Sequence, residues 1–391
     1  MKKPRLFNLL FLVSFASVSA VTIAPALPAL MKFLGESESA IQLFMTLFLV
    51  GYVVGQLPYG PLGARFGLKK VVLVTSLGAV ATSVWTYFAV ASHSYGGALA
   101  SRFLLALFTS SGLKVAFAYI GKCYEDHEMS KFSSYVTVAF AVGPSLGVVM
   151  TGYVTNLFGW HGALLFQIAY AIAAFFVFLG LPHDEGNRQE VMALKQVVGN
   201  FRSHFANAKV FLPGILMGIV PAFAYCFATE APFLGISVLK MSPGMYGVFN
   251  LFASMGMMTG GMLGVYFNTR FSCYVLIRLA LIFLTLISVT FFVIMVLGYL
   301  TPWTLFIPIF FICICLPFIQ SNAAGYAMAQ GKNKSYTSSS INFLGMLLAF
   351  CVVSSLAAIP SQAIYLLAAF FCGLCILGWI FFTIFKKKTV K

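Results

Sequence analysis

Acidic side chains are scarce in this chain: nine Asp and Glu in 391 residues, against 24 Lys and Arg. Charge of either sign is missing from whole stretches. No Asp, Glu, Lys or Arg falls between Leu6 and Met31, Val71 and Ser101, Phe132 and Pro182, Leu279 and Gly331, or Tyr336 and Phe385. Runs of that kind exclude an ordinary soluble domain, in which charge recurs along every surface element. The signatures of catalysis are missing as well. No Gly-Lys-Ser/Thr phosphate loop occurs, so ATP is not the expected energy source. The five histidines, at 93, 127, 161, 183 and 204, lie in connections or at their edges and form no metal-ligand spacing. Cys313/Cys315 and Cys372-Gly-Leu-Cys375 sit inside apolar runs, where cysteine acts as a small hydrophobe. The expectation is a protein that is not an enzyme and needs no metal or cofactor.

What the chain has instead is apolar length. Hydrophobic residues make up 61% and charged ones 8%, and a bilayer crossing takes roughly 20 mostly apolar residues. Turn signals divide the runs into twelve spans: 6–31, 40–62, 71–92, 97–121, 132–156, 160–182, 210–235, 244–267, 273–297, 302–329, 336–358 and 361–385. The fold class is therefore all-α and integral to the membrane. The first span follows Lys2, Lys3 and Arg5 as a secretory signal would, but its apolar stretch is too long for a cleaved one. It is read as an uncleaved first helix.

Basic residues set the expected topology. Lys2/Lys3/Arg5, Arg65/Lys69/Lys70, Lys122/Lys131, Arg188/Lys195/Arg202/Lys209, Arg270, Lys332/Lys334 and Lys386/Lys387/Lys388 fall at alternate connections. The other side has mainly Lys32 and Lys240. Positive charge stays inside, which predicts cytoplasmic termini. The net charge of +15 then reports topology and contact with anionic headgroups, not nucleic acid. The longest connection, 183–209, divides the chain into bundles at 1–182 and 210–391. Its stretch 191–205 reads as an amphipathic helix lying on the membrane surface.

The two bundles repeat. Gly51 and Gly55 match Gly256 and Gly260, and Arg65-Phe66 match Arg270-Phe271, since 256 − 51 and 270 − 65 both equal 205. Parallel six-helix repeats build one large group of secondary transporters, with substrate bound near mid-membrane. Each GxxxG pair predicts a close helix crossing.

The segment Gly55-Gln-Leu-Pro-Tyr-Gly-Pro-Leu-Gly-Ala-Arg-Phe-Gly-Leu-Lys-Lys70 resembles the loop signature of the major facilitator superfamily. Within it, Pro25-Ala-Leu-Pro28, Arg102, Gly143-Pro144-Ser-Leu-Gly147, Phe158-Gly-Trp160, Ala231-Pro232-Phe233 and Asn322-Ala-Ala are similar to the bicyclomycin-resistance branch of drug:proton antiporters. The resemblance implies two pseudo-symmetric six-helix bundles, a bacterial inner-membrane location, a small-molecule substrate, and protons as coupling ion. A monomer in the lipid bilayer is expected. Gly60, Gly63, Arg65, Gly67, Lys69 and Lys70 are the candidate conformational gate, a tight basic turn that can hold neighbouring helix ends. Gly143, Pro144 and Gly147 join it, since Gly-Pro kinks the fifth helix and Gly147 leaves room for a partner. The chain also departs from the family. Val21 stands where the branch has an aspartate before Pro-Ala-Leu-Pro. Ala64 and Leu68 stand where the loop has an aspartate and an arginine, and Leu105 where the fourth helix has a glutamine. Without an anion at Ala64, the gate is expected to be held differently or more weakly.

Three charges lie deep inside spans: Arg102, Lys114 and Glu230. Charge is costly there and marks function by default. Glu230 is the one acid within any span and the nominee for proton coupling, because burial brings a carboxylate into the working range and Arg cannot serve. Arg102 could pair with Glu230 or reach interfacial water. Lys114, twelve residues on and about 18 Å along the helix, could hold a substrate anion or snorkel. Thr22, Tyr119, Gln167, Asn250, Gln320 and Asn322 complete the candidate cavity with Arg102 and Lys114. The leading function is proton-coupled efflux of drug-like molecules by alternating access. An anionic cargo such as a polycarboxylate or siderophore is the alternative, and a non-transporting receptor on the same fold is a third reading.

Overall fold

A computed structural model describes residues 3–389 except 57, 124–125, 185, 187–206, 331–333 and 360–362. At 60, 121, 126–141, 334–336, 338–339 and 389 it describes the backbone alone. The described residues are helical apart from short connections. Eleven helices or broken helices among them are long and apolar enough to cross a membrane. The remaining expected span, 132–156, lies in a 33-residue helix, Asp126–Phe158, part of which is described by its backbone only. The surface helix expected over 191–205 lies outside the described residues.

The chain forms two units, Met1–Met192 with Ser242–Val248, and Ala193–Met241 with Phe249–Lys391. In the first, the first span is broken into α1 (Leu6–Val21), a 3-10 turn at Ala24–Ala26, and α2 (Leu27–Leu34). Pro25 and Pro28 cause the break, because each removes a backbone donor and crowds the preceding turn. Then follow α3 (Glu38–Gly55), α4 (Tyr59–Phe66), α5 (Leu68–Ala91), α6 (Tyr95–Thr109), α7 (Ser111–Cys123), α8 (Asp126–Phe158) and α9 (Trp160–Leu179). The fourth span divides into α6 and α7 at Thr109-Ser110-Ser111. All three hydroxyls bond back to carbonyls of the preceding turn, on Leu105, Leu107 and Phe108 at 2.9, 2.7 and 3.0 Å. Such back-bonding loosens the helical ladder.

The second unit holds α10 (Ala208–Pro232), which carries Pro213, Pro221 and Pro232 and runs into a π-helical turn at Phe233–Val238. The short α11 (Pro243–Phe249) follows in sequence, its residues up to Val248 counting with the first unit. Then come α12 (Leu251–Asn268), α13 (Cys273–Val296), α14 (Pro302–Gln330), α15 (Lys334–Ala357) and α16 (Leu366–Thr389).

Each unit packs by the same scheme. The first span lies on the fifth (α1 on α8), as the seventh lies on the eleventh (α10 on α15). The second lies on the fourth (α3 on α6), as the eighth lies on the tenth (α12 on α14). The third lies on the sixth (α5 on α9), as the ninth lies on the twelfth (α13 on α16). The GxxxG pairs make the second of these crossings. A Cβ on Gly51 would strike the Phe103 carbonyl, and one on Gly55 the Ser110 hydroxyl. In the other unit, Cβ atoms on Gly256 and Gly260 would strike the carbonyls of Phe310 and Ile314. The 205-residue repeat read from the sequence is a repeat of helix packing.

Candidate functional site

In the first unit the polar side chains gather where α1 ends. The carbonyls in the last turn of a helix have no following amide to accept from, and here they are deep inside an apolar bundle. Arg102 on α6 supplies the donors. Its Nη1 reaches the Ser19 carbonyl and its Nη2 the Ala20 carbonyl, both at 3.1 Å, and its Nε reaches the Phe44 carbonyl of α3 at 3.5 Å. The guanidinium lies over the Phe48 ring, 4.6 Å from its centroid, and the residue is 2% exposed. Beside it, Thr22 Oγ1 donates to Gln167 Oε1 at 2.8 Å, and Gln167 Nε2 donates to Ser19 Oγ at 3.2 Å. Arg102, Thr22 and Gln167 are thus brought to one place, with Ser19 as a member the sequence reading had missed. A serine one turn before a Pro-broken helix end was the available signal.

The fifth-span motif borders this cluster. A Cβ on Gly143 would lie 3.0 Å from the Ser14 side chain, and one on Gly147 3.0 Å from Val18 and 3.1 Å from Thr22. Pro144 lies inside α8 between them. Gly143, Pro144 and Gly147 therefore seat α8 on the α1 face that carries the cluster. Lys114 is half-buried on α7, one turn past the break in the fourth span.

Tyr119 is placed elsewhere. Its hydroxyl donates to the Pro182 carbonyl at 3.0 Å, beside the loop that joins α4 and α5. That loop is the candidate gate. Gly60 and Gly63 lie in α4, and Gly67 (φ 88°) turns the chain into α5. Arg65 stacks on Phe66, with 5.2 Å to the ring centroid. Lys69 Nζ donates to the Leu179 carbonyl at 2.8 Å, while Lys70 is exposed. Tyr59 donates to the Leu107 carbonyl at 2.7 Å. The loop also has an anion that the sequence reading had not assigned. Asp184, 4% exposed, accepts from the Leu68 and Lys69 amides at 2.8 and 3.0 Å. Lys122 Nζ lies 3.6 Å from its Oδ2.

In the second unit Glu230 is 3% exposed, two residues before Pro232 and the π-helical turn. Asn250 stands at the start of α12, and Gln320 is half-buried on α14. Asn322 lies towards the C-terminal end of α14, where its amide donates to Asn268 Oδ1 at 3.0 Å and to the Phe318 carbonyl at 2.9 Å. Asn322 therefore ties the end of α12 to α14. An apolar cavity of about 360 Å³ lies between α12, α13 and α14, lined among others by Phe267, Leu276, Phe283, Phe311 and Phe318. Among the described residues no cluster of His, Cys, Asp and Glu has metal-holding geometry.

The family model of the Major Facilitator Superfamily matches residues 9–343. The chain belongs to that superfamily. This member is 25% identical over 323 residues to a bicyclomycin resistance protein homolog of Haemophilus influenzae, covering 81% of this chain and 79% of that one. It is 27% identical over 252 residues to multidrug resistance protein D of Escherichia coli, covering 62% of each. Among solved structures, the crystal structure of a D-xylose-proton symporter superposes with a TM-score of 0.77 over 96% of this chain and 97% of that one, at 12% identity. The last likeness concerns the fold alone. The chain is thus a multi-pass membrane protein of a transporter family with the major facilitator fold.

Proposed function

We propose that this superfamily member is a secondary active exporter of drug-like molecules in a bacterial inner membrane, coupled to protons and working by alternating access. The expected termini are cytoplasmic, and the α4–α5 loop then faces the cytoplasm. The observation that carries the reading is Glu230. It is the one acid of its unit, is almost fully buried, and sits beside a helix end that Pro232 and the π-helical turn leave irregular. A carboxyl at such a point can take up a proton in one state of the carrier and release it in the other, which Arg cannot. Relatives named for resistance to bicyclomycin and to multiple drugs supply the cargo class.

Ser19, Thr22 and Gln167 are neutral and buried against one another, so a cargo that meets them when the bundle opens would be uncharged or weakly basic. The anionic-cargo alternative is less well supported, because Arg102 directs three donors at main-chain carbonyls. A thermal-shift screen of the purified protein tests the cargo class, since a ligand stabilises the state it binds according to occupancy. Lipophilic cations and neutral antibiotics are expected to raise Tm, both in wild type and in Lys114→Ala. Stabilisation by di- and tricarboxylates that vanishes in Lys114→Ala would contradict the reading.

A further inference from the structure

We propose that Asp184 is the anion of the α4–α5 gate, standing in for the carboxylate that Ala64 lacks, and that it fastens the start of the inter-unit linker to the first unit. The requirement follows from the loop itself. α5 begins directly after Gly67, so the amides of Leu68 and Lys69 are unsatisfied by the helix and carry the positive end of its dipole. Arg65, Lys69 and Lys70 crowd the same turn, and the loop from 56 to 70 contains no acid. A helix start of that kind calls for a carboxylate.

Asp184 supplies it from 116 residues away in sequence. One oxygen accepts from Leu68 N and the other from Lys69 N, a two-pronged hold on consecutive amides. Charge-assisted bonds to backbone amides are among the stronger ones, and the site is almost fully buried. The Lys122 ion pair is long and its side chain is 47% exposed, so it contributes little.

The main chains also lie against each other. A Cβ on Gly67 would come within 2.5 Å of the Asp184 carbonyl, and one on Gly186 would strike the Arg65 carbonyl and come within 2.6 Å of Gly67 N. Both positions must be glycine for the two strands of chain to meet. Upstream, Lys69 and Tyr119 hold the carbonyls of Leu179 and Pro182. Residues 179–184 and Gly186 are therefore tied to the gate by side chain and backbone.

Limited trypsin digestion of the purified full-length protein tests this without any transport assay. A protease needs several extended residues on either side of the bond it cuts. Anchorage through Gly186 should thus slow cleavage at Arg188 relative to Arg202 in the same linker. Asp184→Asn keeps the shape but removes the charge and one acceptor. It is expected to raise the Arg188:Arg202 cleavage ratio about tenfold and lower Tm by roughly 2–4 °C, as loss of a helix N-cap does.

Adding Ala64→Asp to Asp184→Asn should restore Tm, because a carboxylate again serves the loop, while the cleavage ratio stays high. Gly186→Ala, which leaves the carboxylate in place, should raise the ratio by itself. An unchanged ratio in Asp184→Asn and Gly186→Ala would overturn the anchorage. Equal acceleration at every tryptic site would reduce Asp184 to a general stabiliser and overturn it too. Failure of Ala64→Asp to recover Tm would overturn the substitution of one anion for the other.

Discussion

Replacing Arg102 by methionine separates two uses of a buried cation: closing a helix end and binding an anion. Methionine fills the volume but donates nothing. Two bonds at 3.1 Å, to the carbonyls of Ser19 and Ala20, are lost. Each bond to a charged group contributes roughly 1.5–3 kcal/mol, and each orphaned buried carbonyl costs roughly 1–3 kcal/mol. The contact with Phe48 adds about 1–2 kcal/mol in a desolvated site. Relief of the buried guanidinium offsets several kcal/mol of this, so a net loss of about 3 kcal/mol is expected. At roughly 2–4 °C per kcal/mol for a unit of this size, Tm should fall by about 6–12 °C. Differential scanning fluorimetry in detergent, at one fixed scan rate, reads the shift. Arg102→Lys should fall between, since one ammonium cannot serve both carbonyls as the planar fork does. A Tm within about 2 °C of wild type for Arg102→Met, with loss of protection by carboxylates, would refute the reasoning and make Arg102 an anion site.

Two further outcomes follow from the packing. Gly51→Leu and Gly256→Leu should each force apart a crossing made on main-chain carbonyls, Phe103 and Phe310, and cost about 3 kcal/mol or more in detergent stability. Equal tolerance of leucine at both positions would refute the shared crossing. A double-mutant cycle on Thr22→Val and Gln167→Leu should give a coupling of about 1 kcal/mol in Tm-derived stability, since their buried hydrogen bond is 2.8 Å long. Additive effects would place the two side chains apart.

Much of the fold was legible because the bilayer allows so few solutions. Charge-free runs can only be spans, and the glycine pairs at a 205-residue offset marked crossings that recur in both units. Arg102, Thr22 and Gln167 stood out as polar residues in apolar runs, whereas the break after Val21 was not read: the apolar run reads as one span over 6–31, and Pro25 and Pro28 divide it.

Partnership was not legible, because partners come from other spans. Tyr119 reads as a cavity side chain in sequence, yet its hydroxyl donates to the Pro182 carbonyl beside the candidate gate. Asn322 reads as a cavity amide, yet it ties α14 to Asn268. Asp184 falls in the connection 183–209, where an acid among basic residues carries no address. Its role exists only because two glycines let the linker lie against the start of α5. The loop shows Ala64 where an aspartate is expected, but nothing near it in the sequence marks a substitute.

The central claim is that Glu230 couples transport to protons. Wild-type and Glu230→Gln protein, reconstituted in liposomes, would be compared for uptake of a compound that gives a positive thermal shift. Each would be assayed under an imposed pH gradient and in substrate exchange without one. The account predicts that wild type concentrates the compound when the lumen is acid, whereas Glu230→Gln retains exchange but no longer responds to the gradient. Gradient-driven accumulation by Glu230→Gln at the wild-type level would contradict it.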